Sequence, residues 1–313
     1  MLSDRYQPRD PEGNLPEGNL PGTLPGRLLE GRARGERVVL WPLPLELAEE
    51  PDWIERAERL ASAQLRSCPR VLDLGVASQE DRGLGLEEGQ PYLLLDPSPL
   101  LNCRPLPASL GPEEQLALCT QLLSLAADCA ALGMTLGALP ATALWLSAEQ
   151  GPLRVVVLGL GPADALGAAA DLESIGALLS PWLEAPALAA FGAQLSSGAF
   201  ESPHAAQRAL WRCVEADEPL VPGRDEALEA LVAQALGRSA PRWAWVTGED
   251  TSDREQLFAR AARRLRAAGS IASSCDTAGG ALLLCADAAR EDAEGRAILV
   301  AAVRRAVVGG GGF

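Results

Sequence analysis

The chain has 313 residues, 48% of them apolar, and a formal charge of −15 from 42 acidic residues against 27 basic ones. That size and apolar content suit one or two packed domains. The charge argues against a nucleic-acid surface on the acidic part, because phosphate backbones attract clustered cations: residues 1–219 carry 30 acids against 15 arginines, and residues 220–313 carry 12 of each.

Every basic residue is arginine, so the chain lacks lysine, and His204 is its single histidine. Seven cysteines, none in a Cys-x-x-Cys pair, read as reduced core thiols in a cytoplasm. One histidine and unpaired cysteines give too few ligands for a tetrahedral zinc site. The start, with Arg5 and Arg9 followed by Pro, Gly and Asn, has no apolar run of a signal peptide.

Along the chain, residues 1–36 are rich in Pro and Gly and predict an irregular segment. ERVVLWPLPL then predicts a short strand. DWIERAERLASAQLR, 52–66, predicts a helix with Trp53, Ile54, Ala57, Leu60, Ala61 and Leu65 on one face. PRVLDLGVA and PYLLLDPSPL predict two more strands, followed by a Pro-rich connection at 97–112. A long amphipathic helix runs from 113 to Gly133. The uncharged stretch 129–148 is long enough to cross a bilayer, but Gly133, Gly137 and Pro140 interrupt it, and it predicts a helix end, a turn and a buried strand instead. ATALWLS and LRVVVLG predict strands, ADLESIGALLSPWLE a buried helix, and 187–195 and 203–216 two shorter helices. Residues 217–223 read as a linker. Beyond it the pattern is helix 224–237, strand WAWVTG, helix 253–268, strand ALLLCAD, helix 290–306 and a flexible tail, 309–313.

Several local matches resemble a bacterial Ser/Thr protein kinase over roughly 5–216. They are Arg5-Tyr6 at the opening, VVLW at 38–41 in the third strand, CPRVLDLGV at 68–76 after the C helix, PYLLLDP at 91–97 beside the hinge, and DLESIGALL at 171–179 in the F helix. The resemblance implies an α+β bilobal protein-kinase-like domain over 37–216, with a small lobe to about 96 and a helical lobe over 97–216. It also implies lost chemistry. Trp41 stands at the nucleotide lysine. Glu55 or Glu58 stands at the C-helix glutamate, with no lysine to pair. Thr135-Leu136-Gly137 occupies the place of His-Arg-Asp, Thr142 that of the metal-binding asparagine, and Gly159-Leu160-Gly161 that of Asp-Phe-Gly. Gly22, Gly26 and Gly31 are out of register for a glycine-rich loop, and nine residues between Gly161 and Asp171 leave no room for an activation segment. Phosphoryl transfer needs that lysine, base and Mg²⁺. Asp171 matches a structural aspartate.

Residues 221–269 resemble the start of AAA-like signal-transduction ATPases, which implies a small α/β P-loop-like partial domain over 224–308. Asp253-Arg254-Glu255 occupies the Gly-Lys-Ser/Thr of the phosphate loop, and carboxylates there repel phosphate. Asp287 resembles the second Walker B acid, with Ala286 replacing the first.

Among single residues, His204 reads as a surface or capping residue and Trp41, Trp145 and Trp182 as core. The Arg263, Arg264, Arg266 cluster reads as a solvated helix face. The resulting expectation is a cytoplasmic, non-catalytic pseudokinase without cofactor or metal, a scaffold or allosteric regulator of another protein in a bacterial signalling assembly. One alternative is a nucleotide sensor or atypical kinase using Arg27, Arg32 or Arg34 in place of lysine. Another is an oligomerisation subunit acting through the ATPase-like region.

Overall fold

The computed structural model describes residues 2–8, 27–33, 35–63, 65, 67–98, 103–136, 139, 141, 144–147, 155–157, 168–216, 224–236, 243–246, 251–277 and 280–287. By contact the chain divides into two compact units, one of 1–110, 122–149 and 155–209, the other of 111–121, 150–154 and 210–313.

The first unit opens with α1 (Leu2–Arg5), β1 (Tyr6–Pro8), β2 (Arg27–Gly31), β3 (Arg37–Pro42), α2 (Trp53–Ala63), β4 (Val71–Val76) and β5 (Pro91–Leu95). The strands form one antiparallel sheet in the order β1-β2-β3-β5-β4. α2 crosses between β3 and β4 and packs on β4. The order follows from hydrophobicity, since the central β3 and β5 carry continuous buried runs and the edge strand β4 is only partly covered. β1 and β2 fall inside the segment expected to be irregular. RLLEG has enough apolar side chain to join the sheet, and Leu28 and Leu29 are buried there.

On one face of this sheet Leu29, Leu40 and Leu94 meet Leu2 and Tyr6 from the chain start and Leu84 and Leu86 from the β4–β5 connection. Asp81 fixes that cover. Its carboxylate accepts the Ser3 N–H at 2.9 Å, the Ser78 N–H at 2.9 Å and the Ser78 hydroxyl at 2.8 Å, joining α1 to the 78–84 turn. Burial opposes its charge, but these donors hold its pKa below the ordinary carboxylate value.

The rest of the unit comprises β6 (Cys103–Pro105), the second half of α3 (Pro112–Ala131), β7 (Leu144–Ser147), β8 (Val155–Val157), α4 (Ala168–Leu179), α5 (Pro186–Ser196) and the start of α6 (Pro203–Val214). β6, β7 and β8 make a small antiparallel sheet. α4 and α5 approach closely, since a Cβ added at Gly176 would lie 2.5 Å from the Ser196 backbone nitrogen. β6 lies in the expected Pro-rich connection, and three residues are too few for a readable alternation. Ile54, expected on the buried face of α2, is 46% exposed, while Trp53 and Ala57 turn inward. No helix among the described residues is long and apolar enough to cross a membrane.

The second unit adds α7 (Arg224–Leu236), β9 (Trp243–Val246), α8 (Thr251–Ala267), β10 (Ser270–Thr277) and β11 (Gly280–Asp287). Its sheet order is β10-β11-β9, with both pairs antiparallel. This differs from the parallel arrangement that the P-loop expectation implies. A phosphate loop and a Walker B acid share a site when their strands run parallel and end together. Here Val246, the end of β9, pairs with Ala281 near the start of β11, and Trp243 pairs with Leu284. Asp287 therefore ends beyond the start of β9, beside Ser270 and away from the residues that follow Val246. The serine-rich β10 escaped the sequence reading because its pattern is not apolar. By contact the division between units falls inside α6, where Trp211 and Glu215 from its end contact α8. The expected helix 290–306, the linker 217–223 and the tail 309–313 lie outside the described residues.

Candidate functional site

The kinase resemblance puts Trp41 at the position of the nucleotide lysine. β3 places it opposite Leu93 of β5, and its indole is 7% exposed. A buried indole offers one N–H donor and no charge, whereas a nucleotide site of this type needs a cation for phosphate. The candidate partner carboxylates are not buried with it. Glu55 and Glu58 are exposed on α2, and Glu55 is paired with Arg59 one turn later in the same helix.

Arg32, the described candidate for an arginine substitute, is engaged elsewhere. Its Nε donates to the carbonyls of Ser3 at 3.1 Å and Tyr6 at 3.4 Å, bracing α1 and β1. The Arg27 side chain and Arg34 lie outside the described residues. So do Gly137, Thr142 and Gly159, and the side chains of Asp253, Arg254 and Glu255 in the first turns of α8.

One sequence-predicted residue is seated in full. Asp171, in the first turn of α4, is 4% exposed and accepts the Leu136 N–H at 2.8 Å. A carboxylate near a helix N-terminus also meets the favourable end of the dipole. The kinase resemblance expects a structural aspartate here, and the observed bond holds the backbone at Leu136. The bond positions a backbone, and it supplies no base.

Three thiols are poor nucleophiles. Desolvation pushes the Cys129 pKa up to about 12, with the charges of Asp171 and Asp128 adding to the effect. Burial alone pushes Cys119 up to about 12, and burial raises Cys68 further, helped by Cys129 and Asp128. Such groups stay protonated at neutral pH. His204 is exposed, with Nδ1 3.3 Å from Gln207 Oε1. Ser202 Oγ accepts the Ala205 N–H at 3.2 Å, so the serine caps α6 and the histidine does not. Trp145 is buried, and Trp182 donates its indole N–H to the Pro107 carbonyl at 2.8 Å. Among the described residues no group of three or more His, Cys, Asp or Glu could hold a metal ion.

A polar cluster in the second unit was missed. Arg264, expected on a solvated face, is 9% exposed. It donates to Glu215 through Nη2 at 2.6 Å and Nε at 3.3 Å, and lies 5.1 Å over the Trp211 ring. Arg260 is 5% exposed, with Nη1 3.7 Å from the same carboxylate. Arg263 and Arg266 are exposed as expected. The readable signal was the four-residue spacing of Arg260 and Arg264 alongside Leu257, Ala261 and Leu265.

No family model matches the chain, and no curated protein does. Among solved structures it is similar to the PknI kinase domain of Mycobacterium tuberculosis, at 16% identity over 65% of this chain and 98% of that one, with TM-score 0.43. A C20A_R136A double mutant of that domain gives 15% identity over 61% of this chain and 89% of that one, also at 0.43. The chain is also similar to the Drosophila melanogaster PAN3 pseudokinase, at 12% identity over 74% of this chain and 72% of that one, with TM-score 0.44.

Proposed function

We propose that this chain is a non-catalytic pseudokinase that acts through contacts with another protein, as a scaffold or allosteric regulator in a bacterial signalling assembly. Trp41 carries the reading. A buried indole at the lysine position removes the cation and fills space with apolar ring, so the surrounding strands are stabilised without a nucleotide. Fold and site are separable, and a kinase-like core that has lost its chemistry still presents surfaces for binding. Nucleic acid and membrane are not its partners, and it needs no cofactor.

The sensor reading would need an arginine at the phosphates. Arg32 Nε is held by the backbone carbonyls of Ser3 and Tyr6, which weighs against it.

Thermal melting of the purified chain with millimolar ATP, with and without Mg²⁺, tests the proposal. A nucleotide bound at 100 times its dissociation constant stabilises by about 2.7 kcal/mol, a shift of several degrees for a chain of this size. The pseudokinase reading expects no shift under either condition. A saturable, Mg²⁺-dependent rise would replace it with the sensor.

A further inference from the structure

The segment Leu2–Tyr6 is held on the first sheet in the way a bound peptide is held. Most of its polar contacts run to its backbone. Asp81 accepts the Ser3 N–H at 2.9 Å, and Arg32 Nε donates to the Ser3 and Tyr6 carbonyls at 3.1 and 3.4 Å. The Arg32 backbone N–H donates to the Arg5 carbonyl at 2.8 Å. Two side chains anchor the segment, since Leu2 and Tyr6 are buried in one cluster with Leu29, Leu40, Leu84 and Leu94. A third, Arg5, reaches Asp73 of β4 through Nη2 at 2.9 Å in an exposed pair. Main-chain bonds that hold, with side-chain anchors that choose, are the means by which a separate segment joins a sheet edge.

The groups that hold the segment are also provided for without it. Asp81 keeps the N–H and the hydroxyl of Ser78, and Asp73 keeps the Leu74 N–H at 2.9 Å. Arg32 is exposed and Asp73 is half-buried, so water reaches both. Departure therefore leaves no buried charge without donors, which would be its heaviest electrostatic cost. β1 lies at the edge of its sheet, so β2, β3, β5 and β4 stay paired when it leaves, and residues 9–26 lie between it and β2. What departure exposes is apolar, the leucines beneath Leu2 and Tyr6. A segment with the same anchors would cover them again.

We propose that this face of the first sheet is a docking groove for a partner protein, which the chain closes with its own segment Leu2–Tyr6. The occupant that fits makes one helical turn and then a strand, with an apolar residue, an arginine three positions later and an aromatic residue next. That is the pattern of Leu2, Arg5 and Tyr6. Such a segment adds to the edge of β2 where β1 now lies, sets its arginine at Asp73 and offers its carbonyls to Arg32. The chain's own strap competes with it at an effective concentration of the order of millimolar, so the groove admits only a partner that binds strongly or grips the chain at a second point. The inference rests on the reading of the chain as a protein that acts through a partner, and it supplies the contact.

The test uses the full chain and a fluorescent peptide of residues 2–8, LSDRYQP. In the variant L2D/Y6S the strap loses both anchors while the groove is untouched. Fluorescence anisotropy is expected to show saturable binding of the peptide to L2D/Y6S and none to the parent at the same concentrations. Adding R32A to that variant, or putting Asp for Leu2 in the peptide, should weaken binding roughly tenfold or more, the scale of a lost charged hydrogen bond or apolar anchor. A folded L2D/Y6S that does not bind overturns the groove. So does equal binding by the parent, or binding that neither R32A nor the changed peptide weakens. A dimer of the parent in light scattering that the free peptide disperses would make a second copy's strap the occupant and overturn the partner-protein assignment. If L2D/Y6S does not fold, hydrogen exchange of the parent decides. The amides of 3–7 must open while those of 93–95 stay protected, and one common opening of both overturns the proposal. Failure on any of these counts leaves the Trp41 argument, tested by melting with ATP, where it stands.

Discussion

Asp171 accepts a hydrogen bond from the backbone of Leu136, 35 residues earlier, at 2.8 Å in a site closed to water. Replacing it with alanine leaves the Leu136 N–H without this acceptor, at a cost of about 1–3 kcal/mol. Asn keeps an oxygen in place and should cost less. Chemical denaturation of D171A and D171N gives the order directly, and equal losses would show that shape and not the acceptor matters.

Trp41 is expected to behave as a core residue. W41A should lose about 3–5 kcal/mol in urea unfolding, the usual range for a buried Trp truncated to Ala. A loss below about 1 kcal/mol, within the range of ordinary surface substitutions, would mean that the indole fills nothing.

Gly176 sets two effects against each other. Alanine gains up to about 1 kcal/mol over glycine in a helix interior. Its Cβ, however, would lie 2.5 Å from the backbone nitrogen of Ser196, and backbone cannot swing aside as a side chain can. Overpacking of this kind costs about 1–3 kcal/mol, so G176A should be net destabilising by thermal melting.

Asp81 gives a pH dependence with a definite sign. Its pKa is lower folded than unfolded, because the donors of Ser78 and Ser3 outweigh the burial that opposes its charge. The folded state then binds fewer protons, and stability rises with pH through that interval. The contribution is complete above the unfolded value, about 3.9, and is lost as pH falls through the lower folded value. Melting profiles between pH 3 and 7 should be steeper at the acid end for the parent than for D81N.

Cys119 and Cys129 should resist alkylation in the native protein. With their pKa values pushed up to about 12, only about one thiol in ten thousand is thiolate at pH 8. Mass spectrometry after iodoacetamide treatment should find both unmodified until denaturant is added, and rapid native labelling of either would show that its site opens.

The parts of the fold legible in the sequence are those with a strong local period. α2, α3 and α4 announce themselves by apolar spacing, and the pattern after Asp171 located the helix that holds Leu136. Ile54 was misread because it lies at the margin of the apolar stripe, about 100° round the helix from Trp53, and the face that packs is centred on Trp53 and Ala57. β10 was hidden by its serines. The direction of β11 was not readable at all, since an apolar run looks the same whether its neighbour runs with it or against it, and that direction separates Asp287 from the residues after β9. Arg264 was misjudged for a related reason. Its carboxylate lies 49 residues away, beyond any local window.

The position of β11 orders events in time. It is the last of the three strands in sequence and the middle one in space. While the chain is being synthesised, β9 and β10 can both emerge and find no ladder to join, because each pairs with β11 alone among the described strands. The sheet closes only when Gly280–Asp287 arrives between them. A ribosome stalled before that point carries two strands with exposed edges and a helix with nothing yet to cover, the species most exposed to aggregation and to chaperones.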